Sequence, residues 1–423
     1  MQQAALGMGS TMATADAGGT TRAAARRGEL DLLRALVVVG LVLFHTTVIF
    51  GAGEFPVKAA GESAVATAFL AFGATWGMPL LFVISGMGIW YSLRSRGPGA
   101  FVRERLRRLL VPLVVGVLTL VPLQVYLGLR RAGEAGPFVD FYRRFLQVRP
   151  SLDFPFVVKA AAGGTFEAGH LWFLVCLLGF SLALLPGFLL LRRPAGLRLV
   201  GRLGGLLARP GVVLLLGLPL AAVELPLGSE VGHAAWNRYS YALLLAYGCL
   251  MAAEPRIGEA IQRQWRPSLA GGVLLFAAAG PVFAAASGHG DPFTATDWRS
   301  LAFRLLKSID GWLWVVAILG LARHRMARRR SGAARRLSGD HGGAGVAGRI
   351  GAYANEAVLP FYVLHEPVIV AVACAVLPWR IGALAQILLI SLASLAVTLL
   401  VYDLGIRRTP ITRWLFGLKP ARL

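Results

Sequence analysis

Long runs of apolar residues recur along the whole chain, separated by polar and basic segments. Each run is about 18–23 residues long, the length that a helix needs to cross a bilayer. Helices are expected rather than strands, because unpaired backbone groups are not tolerated in lipid. The pattern predicts an all-α, polytopic transmembrane helix bundle of about ten spans, at residues 30–51, 67–92, 109–128, 169–191, 211–228, 237–253, 268–286, 308–322, 356–377 and 382–404.

The composition agrees with a membrane protein. Hydrophobic residues make up 56% of the chain and charged residues 15%, whereas soluble domains carry about 25% charged residues. Residues 1–25 contain little apolar bulk and are expected to be a disordered tail. The first apolar run is longer than the core of a signal peptide, so we expect a retained helix. The expected domains are therefore this tail, a membrane domain at 26–405 and a basic C-terminal tail at 406–423.

The formal net charge of +22 would also suit a nucleic-acid-binding protein, but its distribution favours a topological explanation. With the N-terminus inside, the inner segments hold 30 of the 43 Lys and Arg residues and the outer segments hold 11. The positive-inside rule then predicts a multi-pass protein of the cell membrane with both termini cytoplasmic. We expect no nucleic-acid partner, whereas the basic inner face would attract anionic lipids and metabolites.

Arg34 and His45 lie eleven residues apart in the first apolar run. A helix places them on one face, about 16 Å apart along its axis. Ionisable residues inside a membrane are costly and usually functional. Since imidazole titrates near neutral pH, His45 is predicted to be a general base, and the alternative is a structural histidine bonded to a backbone carbonyl.

Basic residues on the inner side offer a candidate anion site. Arg34 has Asp31 as a partner one turn away, and could either line a phosphate-binding cavity or extend to the membrane interface. Arg105 and Arg108 are also one turn apart, where the third span begins. The pair predicts a clamp for an anion, and plain positive-inside anchoring is the alternative.

Polar residues in two other spans are candidates for a cavity lining. His170 and Trp172 begin the fourth span, and Trp172 alone would be an ordinary interfacial aromatic residue. Tyr362, His365 and Glu366 lie in the ninth span between two prolines. Ionisable side chains and prolines within a membrane helix are energetically costly. The three cysteines all fall in apolar runs without metal-ligand spacing, so no metal site is expected.

Taken in order, these motifs resemble the acyltransferase 3 family of polytopic membrane O-acyltransferases, and within it the branch of glucan-biosynthesis protein C. The resemblance is carried by Leu30–Arg34 with His45, Phe82–Gly86, Arg105 and Arg108 leading to Pro112, His170–Leu174, Gly311–Trp314 with Leu319-Gly320, and Pro360–His365. Glu366 stands where the family pattern more often has an amide.

The resemblance implies transfer of an acyl group, acetyl or succinyl, from cytoplasmic acyl-CoA to a hydroxyl of an extracytoplasmic glycan or glycosylated acceptor. It implies His45 as base, Arg34, Arg105 and Arg108 as acyl-CoA ligands, and no bound cofactor. Supporting or acceptor-side roles fall to Asp31, Ser85, His170, Trp172, Tyr362 and His365. Transfer could be direct or could pass through an acyl-enzyme. Ser85 is a candidate nucleophile for the second route, but a helix-packing role is favoured for it.

Two other classes of protein would also use a helix bundle with buried charges. A transporter or flippase for a glycan, lipid or small anion often contains internal repeats with broken helices. We find no convincing repeat between residues 1–210 and 211–423. A non-enzymatic scaffold would not need Arg34, His45 and His365 in lipid. Both are less consistent with the sequence than the acyltransferase.

Overall fold

The computed structural model describes residues 33–336, 344–379 and 381–419, without the side chains of 329–336 and 344–350. Asp31 and the tail expected at residues 1–25 lie outside these described residues. The last four residues of the C-terminal tail do so as well.

Helices dominate the described chain, and its two strands form one short hairpin. The first helices are α1 (Leu33–Val48), α2 (Ala64–Ser95), α3 (Pro98–Arg105), α4 (Val111–Ala132), α5 (Phe138–Phe145), α6 (Trp172–Ala183), α7 (Leu185–Leu191) and α8 (Pro194–Leu207). The later ones are α9 (Gly217–Leu227), α10 (Arg238–Ala253), α11 (Pro255–Ser287), α12 (Trp298–Arg336), α13 (Ala344–Val376), α14 (Ala383–Val401) and α15 (Pro410–Leu415). Strands β1 (Val148–Pro150) and β2 (Val158–Ala160) pair antiparallel. The all-α prediction is confirmed.

Six helices of the described chain are long and apolar enough to cross a membrane: Ala64–Ser95, Pro98–Ala132, Pro255–Ser287, Trp298–Arg328, Gly351–Val376 and Ala383–Ile406. Two bent pairs raise the number to 8 if each pair is one span. α1 is apolar but shorter than these six. A membrane helix bundle is therefore confirmed. The expected count of about ten spans is not confirmed, and the cytoplasmic position of both termini stays a prediction.

The two bent pairs have local causes in the sequence. The apolar run 169–191 divides into Gly169–Ala183 and Leu185–Leu191 with a bend of 50°. Pro186 lies in the first turn of α7 and has no backbone N–H to continue the hydrogen bonding of the preceding helix, so the helix breaks there. The second pair, Pro194–Leu207 and Val212–Leu227, bends by 116°. Gly211 stands at this turn with a φ of +77°, a conformation that favours glycine.

Close helix packing explains one of the sequence motifs. A Cβ atom on Gly86 of α2 would lie 2.0 Å from the Leu245 carbonyl oxygen of α10. A Cβ atom on Gly248 would lie 2.0 Å from the Val83 carbonyl oxygen. The two helix backbones therefore meet through glycines, as in many membrane bundles. The glycine that ends the Phe82–Gly86 motif thus has a packing role.

A buried ion pair links α9 to α12. The Glu224 carboxylate is 0% exposed and accepts hydrogen bonds from Ser229, the Asn237 backbone N–H and Ser240. Lys307 Nζ lies 2.9 Å from Glu224 Oε2 and 4.5 Å from the centre of the Trp236 ring. Both charged groups are thus satisfied, which is the condition for a buried pair to be stable. Neither residue was predicted as important from the sequence.

The segment 129–168, which separates two of the predicted spans, is folded. It contains α5 and the β1–β2 hairpin, and it is tied to the start of α10. Arg238 Nη1 lies 2.6 Å from Asp153 Oδ1 of the hairpin, and Arg238 Nε lies 2.7 Å from Glu230 Oε1. The guanidinium also lies 5.0 Å from the centre of the Phe156 ring. These contacts hold the segment against the bundle.

The described part of the C-terminal segment also folds onto the bundle. Arg413 Nη1 lies 2.9 Å from Glu356 Oε1 of α13. A Cβ atom on Gly417 would lie 2.7 Å from the Arg108 carbonyl oxygen and 3.0 Å from Pro112, so this segment covers the start of α4. The boundary of 406 for the tail, and its cytoplasmic side, stay predictions.

Candidate active site

Four separate parts of the chain bring polar side chains together inside the bundle. His45 comes from the end of α1 and Gln124 from α4. His170 lies on a 3-10 turn, Gly169–Leu171, directly before α6. His365 and Glu366 lie in α13, just before Pro367. We call His45, Gln124, His170, His365 and Glu366 the histidine cluster.

Glu366 lies at the centre of the histidine cluster and is buried. Its Oε1 accepts a hydrogen bond of 2.9 Å from Gln124 Nε2 and lies 3.7 Å from His170 Nδ1. Its Oε2 lies 3.4 Å from His45 Nδ1. One carboxylate therefore connects three helical segments that are far apart in sequence.

The position of Glu366 determines which ring nitrogen of His45 carries the proton. A carboxylate only accepts hydrogen bonds, so Nδ1 of His45 carries the proton and Nε2 presents its lone pair. The side chain of His45 is 22% exposed, although it packs on other rings. Its ring centroid lies 5.2 Å from that of His365 and 6.1 Å from that of Phe55. His45 thus combines an oriented imidazole with partial exposure.

Backbone carbonyls assign the protons of the other two histidines in the same way. His365 Nδ1 donates to the Tyr362 carbonyl oxygen at 2.6 Å, so its lone pair is at Nε2. His170 Nε2 donates to the Val363 carbonyl oxygen at 3.2 Å, so its lone pair is at Nδ1. Because that lone pair faces Glu366, the contact is favourable only when one of the two groups holds an additional proton. Among the described residues, neither His365 Nε2 nor His170 Nδ1 has a hydrogen-bond partner.

The other predicted site residues on this side lie outside the histidine cluster. The Tyr362 hydroxyl donates to the His170 carbonyl oxygen and so fixes the 3-10 turn. The Trp172 ring lies 5.0 Å from His233 and 5.3 Å from Tyr241, next to the histidine cluster rather than in it. Ser85 is half-buried on α2 and makes no hydrogen bond to any described residue of the histidine cluster.

The predicted anion ligands come together at the other end of α1. Arg34 and Arg108 each lie within electrostatic range of Arg105. A Cβ atom on Gly88 would lie 3.6 Å from Arg34 Nη2, so this glycine leaves room for the guanidinium beside α2. Arg105 lies 5.0 Å from the centre of the Phe101 ring, and Arg108 Nη1 lies 3.6 Å from Glu104 Oε1. We call these three residues the arginine group.

The sequence did not predict the contacts of two members of the histidine cluster. Glu366 was predicted to line a cavity and departs from a family pattern, but its contact with His45 was not foreseen. Gln124 was missed, although a lone amide in an apolar span could have been a signal. The hydrogen bond between them joins residues 242 positions apart, so no local periodicity reveals it.

A comparison with known families shows to which family the chain belongs. The model of a family described as an acyltransferase domain matches residues 27–403, most of the chain. The chain belongs to the acyltransferase 3 family. Membership supports a membrane acyltransferase activity and gives no such support to a transporter or a scaffold. No curated protein and no solved structure matches this chain.

Family membership does not fix the finer predictions. The likeness to the glucan-biosynthesis branch, the acyl-CoA donor and the acceptor stay predictions. Within the described residues, no group of three or more His, Cys, Asp or Glu side chains is placed to hold a metal ion.

Proposed function

We propose that this acyltransferase moves an acyl group from acyl-CoA, bound at the arginine group, to a hydroxyl of an extracytoplasmic glycan or glycosylated acceptor at the histidine cluster. The observation that carries the proposal is the contact of 3.4 Å between His45 Nδ1 and Glu366 Oε2, which leaves Nε2 of an accessible imidazole free to take a proton.

The reaction follows from that geometry. His45 Nε2 takes the proton of the acceptor hydroxyl while the oxygen attacks the thioester carbonyl carbon. The tetrahedral intermediate collapses, the carbon–sulfur bond breaks, and the imidazolium returns the proton to the leaving thiolate. Ester and free CoA are the products, with no net proton released. Glu366 stabilises the imidazolium while it exists, as a carboxylate does beside a catalytic histidine.

Direct transfer is favoured over an acyl-enzyme. A serine nucleophile needs a base within hydrogen-bond reach. Ser85 makes no such contact with a histidine of the described chain. The acceptor hydroxyl can therefore be the nucleophile itself, provided that donor and acceptor are held in line.

The arginine group suits the phosphates of the donor. Guanidinium groups bind phosphate oxygens through paired, charge-assisted hydrogen bonds. Along α1, Arg34 and His45 are about 16 Å apart. The extended arm of CoA would bridge this distance, so that phosphates and thioester occupy opposite ends of α1.

The experiment that tests the proposal is incubation of the purified protein with radiolabelled acetyl-CoA or succinyl-CoA and a panel of sugars. Label in a sugar ester, dependent on the protein, supports the proposal. Sugar or anion transport without ester formation would show a transporter instead.

Glu366→Gln is expected to lower kcat by about 100-fold, because His45 would no longer be held in line with the hydroxyl of the acceptor. The acceptor KM should change little, since Glu366 acts through His45. Initial rates over a range of acceptor concentrations measure both constants. Glu356→Gln, on the same helix but paired with Arg413, is the matched control and should keep the wild-type kcat. A wild-type kcat for Glu366→Gln would exclude the positioning role.

Arg34→Ala and Arg105→Ala are each expected to raise the KM for acetyl-CoA by about tenfold, through loss of charged hydrogen bonds to phosphate. S-acetyl-N-acetylcysteamine is a thioester without these phosphates. Its rates should be the same in wild type and variants. Equal losses with both donors would show that the arginines support the fold rather than the donor.

A further inference from the structure

Helix α8 takes a different direction from the helical segment that follows it. With 14 residues it is about 21 Å long, too short to cross the hydrocarbon core of a bilayer. The next helical segment, Val212–Leu227, packs along α12, where Trp312 Nε1 donates to the Val213 carbonyl oxygen. Further along, Lys307 of α12 pairs with Glu224. Because α8 meets this segment at a bend of 116°, the two cannot both follow the membrane normal, and α8 lies closer to the membrane plane.

The surface of α8 is divided into three stripes. Three residues face the bundle and are buried: Val200, Gly204 and Leu207. Three leucines with the same spacing form an exposed apolar stripe: Leu199, Leu203 and Leu206. Arg198 and Arg202, one turn apart, are exposed on the side away from the buried residues. Adjacent stripes of leucine and arginine are typical of a helix that lies in the headgroup region of a membrane, with its leucines among the acyl chains.

Two hydrogen bonds fix α8 to the beginning of α11. Arg256 Nη2 donates to the Gly201 carbonyl oxygen at 2.8 Å. Arg263 Nη2 donates to the Ala208 carbonyl oxygen, directly after α8, at 3.2 Å. With the N-terminus of the chain inside, this end of α11 is predicted to lie on the cytoplasmic side. The two bonds therefore join α8 to α11 at the predicted cytoplasmic surface of the membrane.

Next to this junction, the surface of α11 carries an open groove with a volume of about 590 Å³. Six residues line it: Trp265, Arg266, Leu269, Ala270, Val273 and Leu274. Arg266 lies at the end nearer to α8, and its guanidinium is 5.3 Å from the centre of the Trp265 ring. Beyond these two residues the lining is apolar and follows α11 into the membrane. The groove thus offers a cation at the membrane surface and an apolar track below it.

The charges around the groove are mostly positive. The segments 192–209 and 254–267 together contain eight arginines and two glutamates. Of these two carboxylates, Glu254 pairs with Arg256 at 2.9 Å, and Glu259 is exposed on α11. The acidic residues of the two segments therefore balance only a small part of their positive charge.

The inner end of α12 adds further positive charge at the same place. The His324 ring lies 5.7 Å from that of Trp265, so residues 323–328 border the groove. These six residues include three arginines and no carboxylate. An anionic partner at the groove is therefore matched in charge by α8, α11 and α12 together.

We propose that α8 and the groove of α11 bind an anionic diacyl phospholipid of the cytoplasmic leaflet. Arg263 and Arg266 hold the phosphate, one acyl chain lies in the groove, and α8 rests on the leaflet with its leucine stripe among the chains. Guanidinium groups bind phosphate oxygens through charge-assisted hydrogen bonds, and basic pockets beside membrane helices bind anionic headgroups. The inference is independent of the proposed acyl transfer.

The test is native mass spectrometry of the detergent-solubilised protein, titrated with dioleoylphosphatidylglycerol or with dioleoylphosphatidylcholine. The Kd for the anionic lipid should be about tenfold lower than that for the zwitterionic lipid, since each arginine near a headgroup favours the anion. Added salt should reduce this preference by screening. Equal Kd values for the two lipids would overturn the proposal.

Arg263→Gln/Arg266→Gln should raise the Kd for dioleoylphosphatidylglycerol by about tenfold, through loss of charged hydrogen bonds to phosphate. Arg143→Gln/Arg144→Gln is the matched control, because it removes two exposed arginines of α5. It should bind the lipid as the wild type does. If the double variant fails to fold, Arg266→Gln alone tests the same contact at an exposed position. A wild-type lipid preference in a folded variant would overturn the proposal.

Val273→Trp fills the groove without a change of charge. It should also raise the Kd for dioleoylphosphatidylglycerol by about tenfold, because the acyl chain loses its apolar contact. Leu392→Trp, at an exposed apolar position of α14, is the matched control and should leave the Kd unchanged. An unchanged Kd in Val273→Trp would overturn the groove as the binding site.

The position of α8 is measured with nitroxide labels on Leu203→Cys and Arg202→Cys, each in a Cys374→Ser background in phosphatidylglycerol vesicles. Oxygen, which concentrates in lipid, should relax the label at residue 203 more strongly. A water-soluble nickel chelate should relax the label at residue 202 more strongly. Equal access of the nickel chelate to both labels would overturn the surface position of α8. Since no measurement here uses acyl transfer, failure of the proposed enzymatic function would leave these results unaffected.

Discussion

His45→Ala is expected to lose acyl transfer by about 10²- to 10⁴-fold while it still folds and binds acetyl-CoA, the range for removal of a general base. The imidazole is the group in the described histidine cluster that combines an oriented ring with a partly exposed side chain. Transfer of radiolabelled acetyl at saturating acetyl-CoA measures the loss. Binding of acetyl-CoA equal to that of the wild type, and an unchanged elution volume in size-exclusion chromatography, show that the variant is folded.

The matched control is His289→Ala, because His289 is an exposed histidine whose Nδ1 contacts the Ala285 carbonyl oxygen. It should transfer at the wild-type rate. If His45→Ala fails to fold, His45→Gln keeps a polar side chain at the position and should show the same loss. A folded His45 variant with a normal rate would remove the base from the proposed reaction.

Glu224→Ala is expected to destabilise the protein by about 3–5 kcal/mol, because it leaves Lys307 as an unpaired charge in the core. The pair is 0% and 7% exposed, so water cannot replace the lost carboxylate. The three hydrogen bonds that Glu224 accepts from neighbours near α10 are lost in addition. Thermal unfolding in detergent should show a large fall in the transition temperature.

The double variant Glu224→Leu/Lys307→Met tests whether the unpaired charge of Lys307 causes the loss of stability. Replacing both charges by apolar groups of similar size is often neutral, so much of the lost stability should return. A double variant as unstable as Glu224→Ala would mean that hydrogen bonding by Glu224, rather than the unpaired lysine, controls stability.

The features that the sequence predicted well are local ones. Arg34 and His45 share α1, and a fixed rise per residue separates them whatever the tertiary fold. Arg105 and Arg108 are likewise one turn apart at the start of a span. Their approach to Arg34 depends on the packing of α1, α2 and α3, and the motif resemblance supplied this expectation.

The parts that were missed depend on long-range packing or on local breaks. Gln124 meets Glu366 only because α4 packs on α13, and the α9–α12 pair of Glu224 and Lys307 has the same origin. The run 169–191 was expected to be one straight span because hydropathy does not register Pro186. The segment 192–209 lies between two of the predicted spans, yet its apolar residues recur with helical spacing and form α8.

The central claim is that the donor binds at the arginine group and the acceptor at the histidine cluster, on opposite sides of the membrane. Sealed proteoliposomes with methyl glucoside trapped inside and radiolabelled acetyl-CoA outside test it most directly. We expect labelled ester inside the vesicles when the arginine group faces outward, and none with His45→Ala. Ester formation only when donor and acceptor share one compartment would contradict the account.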